Sequence, residues 1–168
     1  LSHTTIYTYD ALDRKIGTTD PLTHTTVYAY DANGNLTSIT DANSNVTSYT
    51  YDALGRLLTV TDAEDGVVTY SYDAIGNRTV MTDANTHVTI YVYDALSRLI
   101  STTNPLSYTI VYTYDVVGNR VARHKPDGTV LQYTFDPLDR LAAINAPDLA
   151  IAYSYDEIGN RTAMTDST

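Results

Sequence analysis

The chain has 168 residues, 43% apolar and 18% charged, with no cysteine, no tryptophan, one phenylalanine and 16 tyrosines. That is enough apolar content for a folded domain, and the lack of cysteine excludes a disulfide framework and a cysteine-ligated zinc site. Ten basic against 20 acidic residues leave a formal charge of −10, which argues against nucleic acid and anionic lipid as partners, and no run of 18 apolar residues exists to span a bilayer as a helix.

Followed from its start, the chain repeats itself. An aromatic residue precedes aspartate at Tyr9, Tyr30, Tyr51, Tyr72, Tyr93, Tyr114, Phe135 and Tyr155, spaced by 21 residues six times and then by 20. The missing residue falls between Leu141 and Tyr153. The aspartates are Asp10, Asp31, Asp52, Asp73, Asp94, Asp115, Asp136 and Asp156, and a second tyrosine stands two residues before each aromatic, from Tyr7 and Tyr28 through to Tyr133 and Tyr153. Period-two spacing puts both aromatics on one face of a strand, while the residue between them, such as Thr8, Ala29 or Ser71, points the other way.

Each repeat reads as two strands and two turns. The third, for example, gives a strand over 56–61, a turn over 62–66, a strand over 67–72 and a turn over 73–76. Pro21, Pro105, Pro126 and Pro147 share one repeat position, and Gly34, Gly55, Gly76, Gly118 and Gly159 another, which marks the turns. Connections this short predict an all-β fold of tandem 21-residue β-hairpins in an antiparallel sheet that coils or spirals, because a twisted open sheet rarely exceeds roughly ten strands without curling. A two-strand β-solenoid is the alternative. Tyrosine rather than phenylalanine suits a wall whose inner face is partly wet. Odd and even repeats also differ. Ile16, Leu58 and Ile100 in odd repeats stand where even ones have Thr37, Thr79 and Val121, and two residues later Ile39, Met81 and Met164 answer Thr18 and Thr102, although Val60, Arg123 and Ile144 depart from the rule.

The candidate chemistry is repetitive too. The repeated aspartate stands with an arginine four or five residues on, as in Asp52 and Arg56, Asp73 and Arg78, Asp115 and Arg120, Asp156 and Arg161, which predicts an ion pair pinning the turn beside an Asx-type cap. A calcium ladder would need a glycine-rich spacing that is absent. His3, His24 and His87 share one repeat position and read as turn residues, without the pattern of a metal site. No nucleophile elbow is present, and no carboxylate stands apart from the ladder. The one basic cluster, Arg120, Arg123, His124 and Lys125, reads as drift within a repeat. Asn35, Asn45, Asn77 and Asn160 open Asn-x-Ser/Thr sequons, which arise easily in a threonine-rich repeat. No catalytic, cofactor or metal residues are assigned; the aromatics and aspartates named above are assigned structural roles.

Tyr51-Asp52-Ala53-Leu54-Gly55-Arg56-Leu57 resembles the core motif of the YD repeat, also called the Rhs repeat, and the resemblance extends over the whole chain as about eight repeats in a single array, 1–168. It implies β-hairpin strips that spiral into a hollow shell, as in bacterial polymorphic toxins, insecticidal toxin complexes, wall-associated proteins and teneurins. Toxin members of that family enclose a C-terminal effector released by self-cleavage, and no such terminal segment is found here. Glycine of the motif is replaced by Asp13, Ser97 or Asp139 in odd repeats, which predicts a differently shaped turn there. Both ends fall inside a repeat, so the chain reads as a piece of a longer protein. The expected function is a non-enzymatic structural segment of a shell, wall or spacer in an extracellular or cell-surface protein. Its partners would be further repeats of the parent chain, other copies end to end, or an enclosed effector lying outside this chain. A self-assembling extracellular filament and a cell-wall or carbohydrate-binding module, with a surface glycan as partner, are the alternatives.

Overall fold

A computed structural model describes residues 4–167, and His3 lies outside them. The chain divides into two compact units, one ending at Val88 and the other starting at Thr89. The first holds β1 (Ile6–Tyr9), β2 (Lys15–Thr19), β3 (Thr25–Tyr30), β4 (Leu36–Thr40), β5 (Val46–Tyr51), β6 (Leu57–Thr61), β7 (Val67–Tyr72) and β8 (Arg78–Thr82). In the second are β9 (Val88–Tyr93), β10 (Leu99–Thr103), β11 (Thr109–Tyr114), β12 (Arg120–His124), β13 (Val130–Phe135), β14 (Leu141–Ala146), β15 (Leu149–Tyr155) and β16 (Arg161–Asp166). Within each unit every strand pairs antiparallel with its neighbour in the chain. This is the hairpin meander, not the two-strand solenoid, whose coils would stack their strands in parallel.

Both kinds of turn have one geometry. In the turn after β1 the Asp13 amide donates to the Asp10 carbonyl, the Asp10 amide donates to the Arg14 carbonyl, and Asp13 sits at φ 57°. This is a type I turn closed by a left-handed residue, a hairpin loop compatible with strand twist. The opposite edge repeats it, with Thr23 at φ 69° after Asp20. Proline at 21, 105, 126 and 137 occupies the second turn position, where φ near −65° is wanted and no amide is needed. Asp13, Ser97 and Asp139 adopt the same left-handed conformation as Gly34, Gly76 and Gly118, with the same hydrogen bonds. The expectation of a different turn in odd repeats is therefore corrected: aspartate tolerates the left-handed region, and serine is held there by the flanking bonds.

The Tyr-Asp side of every hairpin carries one further irregularity. Tyr9 faces Lys15 but Thr8 faces Gly17, so Ile16 is an extra residue bulged out of the ladder. Leu58, Ile100 and Thr162 hold the same place in later hairpins. Such a bulge diverts one strand and displaces a carbonyl from its ladder partner. In the next repeat the Tyr30 hydroxyl donates to the Lys15 carbonyl at 3.0 Å, Tyr51 to Leu36 at 2.9 Å and Tyr72 to Leu57 at 2.9 Å. Tyr114 and Tyr155 do the same to Leu99 and Leu141 at 2.8 Å. In each case the acceptor is the strand residue that begins the bulge.

The faces follow. In β3, Tyr28 and Tyr30 are half-buried and Val27 and Ala29 exposed. Across the sheet Tyr28 pairs with Ile39, Tyr49 with Val60, Tyr70 with Met81 and Tyr153 with Met164. No apolar side chain is fully buried among the described residues. The opposite face carries small and hydroxylic residues such as Ser38, Ser48, Thr59 and Thr69, and stabilisation comes from ring-on-strand packing repeated along the array.

Replacing Tyr72 by Phe should cost about 1 kcal/mol, the usual net worth of one hydrogen bond. Tyr72→Ala, which also empties the ring's place, should cost about 3 kcal/mol, scaled down from a fully packed aromatic. Equal melting temperatures for wild type and Tyr72→Phe in calorimetry would show that the bulge carbonyl does not need the phenol.

Candidate functional site

The repeated feature that could carry a function is the row of Tyr-Asp turns along one edge of each unit. Each starts from an aspartate whose Oδ1 accepts amides two and four residues on, as Asp52 does from Leu54 at 2.9 Å and Arg56 at 3.0 Å. In odd repeats Oδ2 then takes the guanidinium: Arg14 on Asp10, Arg56 on Asp52, Arg98 on Asp94 and Arg140 on Asp136, with Nε at 2.6–2.7 Å. The same guanidinium leaves its own repeat. Nη1 of Arg56 donates to the Asp73 carbonyl at 3.0 Å, and its plane covers the Tyr72 ring with the central carbon 4.8 Å from the centroid. Arg14, Arg98 and Arg140 reach Asp31, Asp115 and Asp156 likewise, over Tyr30, Tyr114 and Tyr155. One side chain thus makes an ion pair at home, a main-chain bond abroad and a cation–π contact.

Even repeats use a different partner, which corrects the expected pairing five residues on. Asp31, Asp73, Asp115 and Asp156 hold the side-chain amides of Asn35, Asn77, Asn119 and Asn160, at 2.9–3.2 Å. Arg78, Arg120 and Arg161 instead lie over Tyr70, Tyr112 and Tyr153. An odd number of residues after the turn aspartate places the side chain beyond the carboxylate, over the preceding ring. Three of the four sequon asparagines are therefore turn ties, and Asn45 is a fourth, bound to Asp41 at 2.8 Å. His24 and His87 are turn residues on the opposite edge, each with Nδ1 on an aspartate, Asp20 at 2.9 Å and Asp83 at 3.0 Å. Among the described residues no cluster of His, Cys, Asp or Glu is placed to hold a metal ion.

Tyr9 and Tyr7 lie on β1, which pairs on one side only among the described strands, and both are exposed. Tyr93 ends β9 and Asp94 opens the turn after it, tied to Arg98 at 2.7 Å. Phe135 stands apart: having no hydroxyl, it offers nothing to the Arg120 carbonyl. Sequence reasoning missed a second feature of the edge. The third turn position is an exposed apolar residue: Leu12, Leu54 and Ile75 in the first unit, Leu96, Val117, Leu138 and Ile158 in the second. Leu54 is 75% and Ile158 86% exposed, where a turn ordinarily shows polar side chains. The signal was present, since the 21-residue register aligns these positions, with Asn33 the exception.

Such a chain, a strip of identically built antiparallel hairpins tied edge to edge by tyrosine and arginine, is an all-β tandem-repeat protein. The chain belongs to the teneurin YD-shell family, whose family model matches residues 1–146. Two solved structures are similar in fold: the Tc holotoxin pore of Photorhabdus luminescens carrying a TccC3-D651A mutation (24% identity, TM-score 0.71, 86% of this chain and 9% of that one), and the TcdB2-TccC3 complex (20% identity, TM-score 0.79, 96% and 11%). The chain therefore spans about a tenth of the length of these structural relatives. No curated protein matches it by sequence.

The turn carboxylates are held below the ordinary carboxylate range. For Asp10, Asp52 and Asp94 the largest cause is the amide of the arginine four residues on, aided by its guanidinium; for Asp31 and Asp156 it is the side-chain amide of Asn35 and Asn160. A depressed folded value means stability that is present above the unfolded value of about 3.9 and lost as pH falls through the folded values. Urea midpoints should therefore be steady from about pH 7 to pH 5 and fall steeply below about pH 4. Asp52→Asn should shallow that acid limb; an unchanged slope would show that Asp52 titrates alike folded and unfolded. Arg56→Lys keeps the charge but loses the fork, and should lower Tm by about 2 to 4 °C, the worth of one main-chain bond in a chain of this size.

Proposed function

We propose that this chain is a non-enzymatic, load-distributing section of a shell wall, whose Tyr-Asp hairpins join further YD repeats of one parent polypeptide, and that the assembled wall encloses a polypeptide effector. The observation that carries the reading is the reciprocal tie between successive repeats: each odd arginine donates forward to the next repeat's main chain, and tyrosine hydroxyls donate backward. The odd-repeat guanidinium groups and the tyrosine hydroxyls are thus used in holding one repeat to the next. Membership of the YD-shell family supports the same reading. All eight YD aromatics, the eight aspartates and residues 1–168 as one array are assigned this structural role. An extracellular or cell-surface setting accords with the family. The exposed apolar turn row adds an edge suited to contact with an adjoining strip of wall.

Filament formation is the second reading. β1 and β16 each pair on one side only among the described strands, and β16 is exposed throughout its length. One copy's last strand against another's first would continue the register as a contact that need not close. Glycan binding has less support, because one face of rings such as Tyr30, Tyr72, Tyr114 and Tyr155 is already covered by guanidinium.

Electron microscopy of the parent polypeptide should show a hollow particle, with an internal segment resistant to protease until the wall is opened by acid. A solid or rod-like particle would overturn the shell reading. For the isolated chain, light scattering over a concentration series separates the second reading: growth into long polymers supports the filament, and a constant monomer mass removes it.

A further inference from the structure

Seams between successive repeats alternate in kind. From an odd repeat to an even one the guanidinium crosses, Arg14 to the Asp31 carbonyl, Arg56 to Asp73, Arg98 to Asp115 and Arg140 to Asp156. That acceptor is main chain, which every repeat possesses. In even repeats the position of this arginine, four residues after the turn aspartate, holds Asn35, Asn77, Asn119 or Asn160 instead. At the seam after Asn119 the carboxamide makes two bonds. Its Nδ2 donates to Oδ2 of its own Asp115 at 3.2 Å and to Oδ1 of Asp139, in the turn of the following odd repeat, at 2.9 Å.

Asp139 is the left-handed residue of its turn, at φ 59°. Glycine adopts that conformation freely, whereas a residue with a Cβ is strained there. Even repeats use glycine at this place, Gly34, Gly76, Gly118 and Gly159, while odd repeats hold Asp13, Gly55, Ser97 and Asp139. Three of the four odd turns therefore carry strain that the even turns avoid, and all three bring a side-chain oxygen to the position. Gly55 is the exception, and its surroundings show that the same seam passes it: the atom a Cβ at position 55 would approach is Oδ1 of Asn35, at 3.5 Å. The Asn35 carboxamide lies beside this turn while its Nδ2 is bonded to Asp31 at 2.9 Å.

We infer that the left-handed turn residue of odd repeats is the recognition group of the even-to-odd seam, and that its ligand is the primary carboxamide of the asparagine in the repeat before. A carboxamide nitrogen has two hydrogens, so one can hold its own turn aspartate while the other crosses to the next turn. A carboxylate or hydroxyl at the left-handed position accepts it, the carboxylate in the stronger, charge-assisted form, and glycine accepts nothing. Odd turns are thus read through a side chain and even turns through a main-chain carbonyl. An asparagine laid against an even turn would find only glycine, so the donor four residues after the aspartate and the acceptor three residues after it together set which repeat follows which. The inference rests on the reading of the array as a wall of joined repeats and names the groups by which one repeat accepts its neighbour.

Double-mutant cycles on the full chain test it, read as the thermal midpoint in calorimetry. Asn119→Ala should lower Tm by about 2 to 4 °C more in the wild-type background than in an Asp139→Gly background, the worth of one hydrogen bond in a chain of this size. Asp139→Asn keeps an acceptor oxygen in a residue that tolerates the left-handed region, and should keep at least part of that difference. The glycine seam gives the converse test: Asn35→Ala should lower Tm more when Gly55→Asp is present than when it is absent, because that substitution supplies the missing acceptor. Asn160→Ala, after which no further turn acceptor stands among the described residues, should have the same effect with or without Asp139→Gly. Equal effects of Asn119→Ala in the two backgrounds, a Gly55→Asp chain that gains no dependence on Asn35, or an effect of Asn160→Ala that changes with Asp139→Gly would each overturn the inference. Such a failure would leave the wall reading standing, since particle shape and protease resistance decide that reading independently of any one seam.

Discussion

The arrangement depends on a carbonyl that the hairpin itself displaces. Bulging Ile16, Leu58 and their counterparts out of the ladder leaves the carbonyl of the residue before them in need of a donor, and a main chain already committed to its neighbours cannot supply one. The phenol of the following repeat does, at 2.8–3.0 Å. This explains why the array uses tyrosine where phenylalanine would bury as much area. It also means that a repeat is complete only when its successor is present. At alternate junctions an odd-repeat arginine closes the seam from the other side, so there it carries polar bonds in both directions.

From this follows the energetic character of the protein. Sheets in which no apolar side chain is fully buried among the described residues cannot rest on a dry core. Their stability is instead a sum of nearly identical junctions, the one-dimensional pattern of repeat proteins. Half-buried rings tolerate this because each presents a greasy body to the strands and a polar tip to a carbonyl or to water. The acid sensitivity expected of the turns belongs to the same design, since in odd repeats the carboxylate that orders the turn also anchors the arginine that spans the seam.

Much of this was legible beforehand. The 21-residue period located every hairpin, and the strand predicted over 67–72 is β7 to the residue. The repeated proline and glycine positions marked both turns, because each reports a backbone requirement rather than a contact. What could not be read were features decided in three dimensions. An arginine four residues from aspartate and one five residues away look alike in sequence, yet the turn aims the first at the carboxylate and the second at a ring. The odd-repeat turns looked different because glycine was missing, but the bonds around Asp13 and Ser97 impose the left-handed conformation on other residues. The bulge gave no signal of its own, being a register shift between partners. The cluster at Arg120 and Arg123 reads as drift in the sequence; the register sets Arg123 opposite Tyr112, and the Arg120 guanidinium lies between the Tyr112 and Tyr133 rings.

The shortened seventh repeat shows which part of the design is constrained. The lost residue is at the far edge, where β14 and β15 are joined by Pro147 and Asp148 alone and Ala146 faces Leu149 directly. The sequence separation across the seam changes accordingly: Tyr155 reaches back 14 residues instead of 15, and Arg140 reaches forward 16 instead of 17. Both bonds nevertheless form, at 2.8 and 3.1 Å, and Tyr153 still faces Met164. A deletion at the far turn is absorbed because that turn does no more than reverse the chain. The Tyr-Asp edge has no such freedom, because a residue lost between the aromatic and the bulge would move the phenol away from the carbonyl it serves and the arginine away from its ring. Selection on such an array therefore acts on the geometry of the seam, and the 21-residue period is its usual consequence rather than its cause.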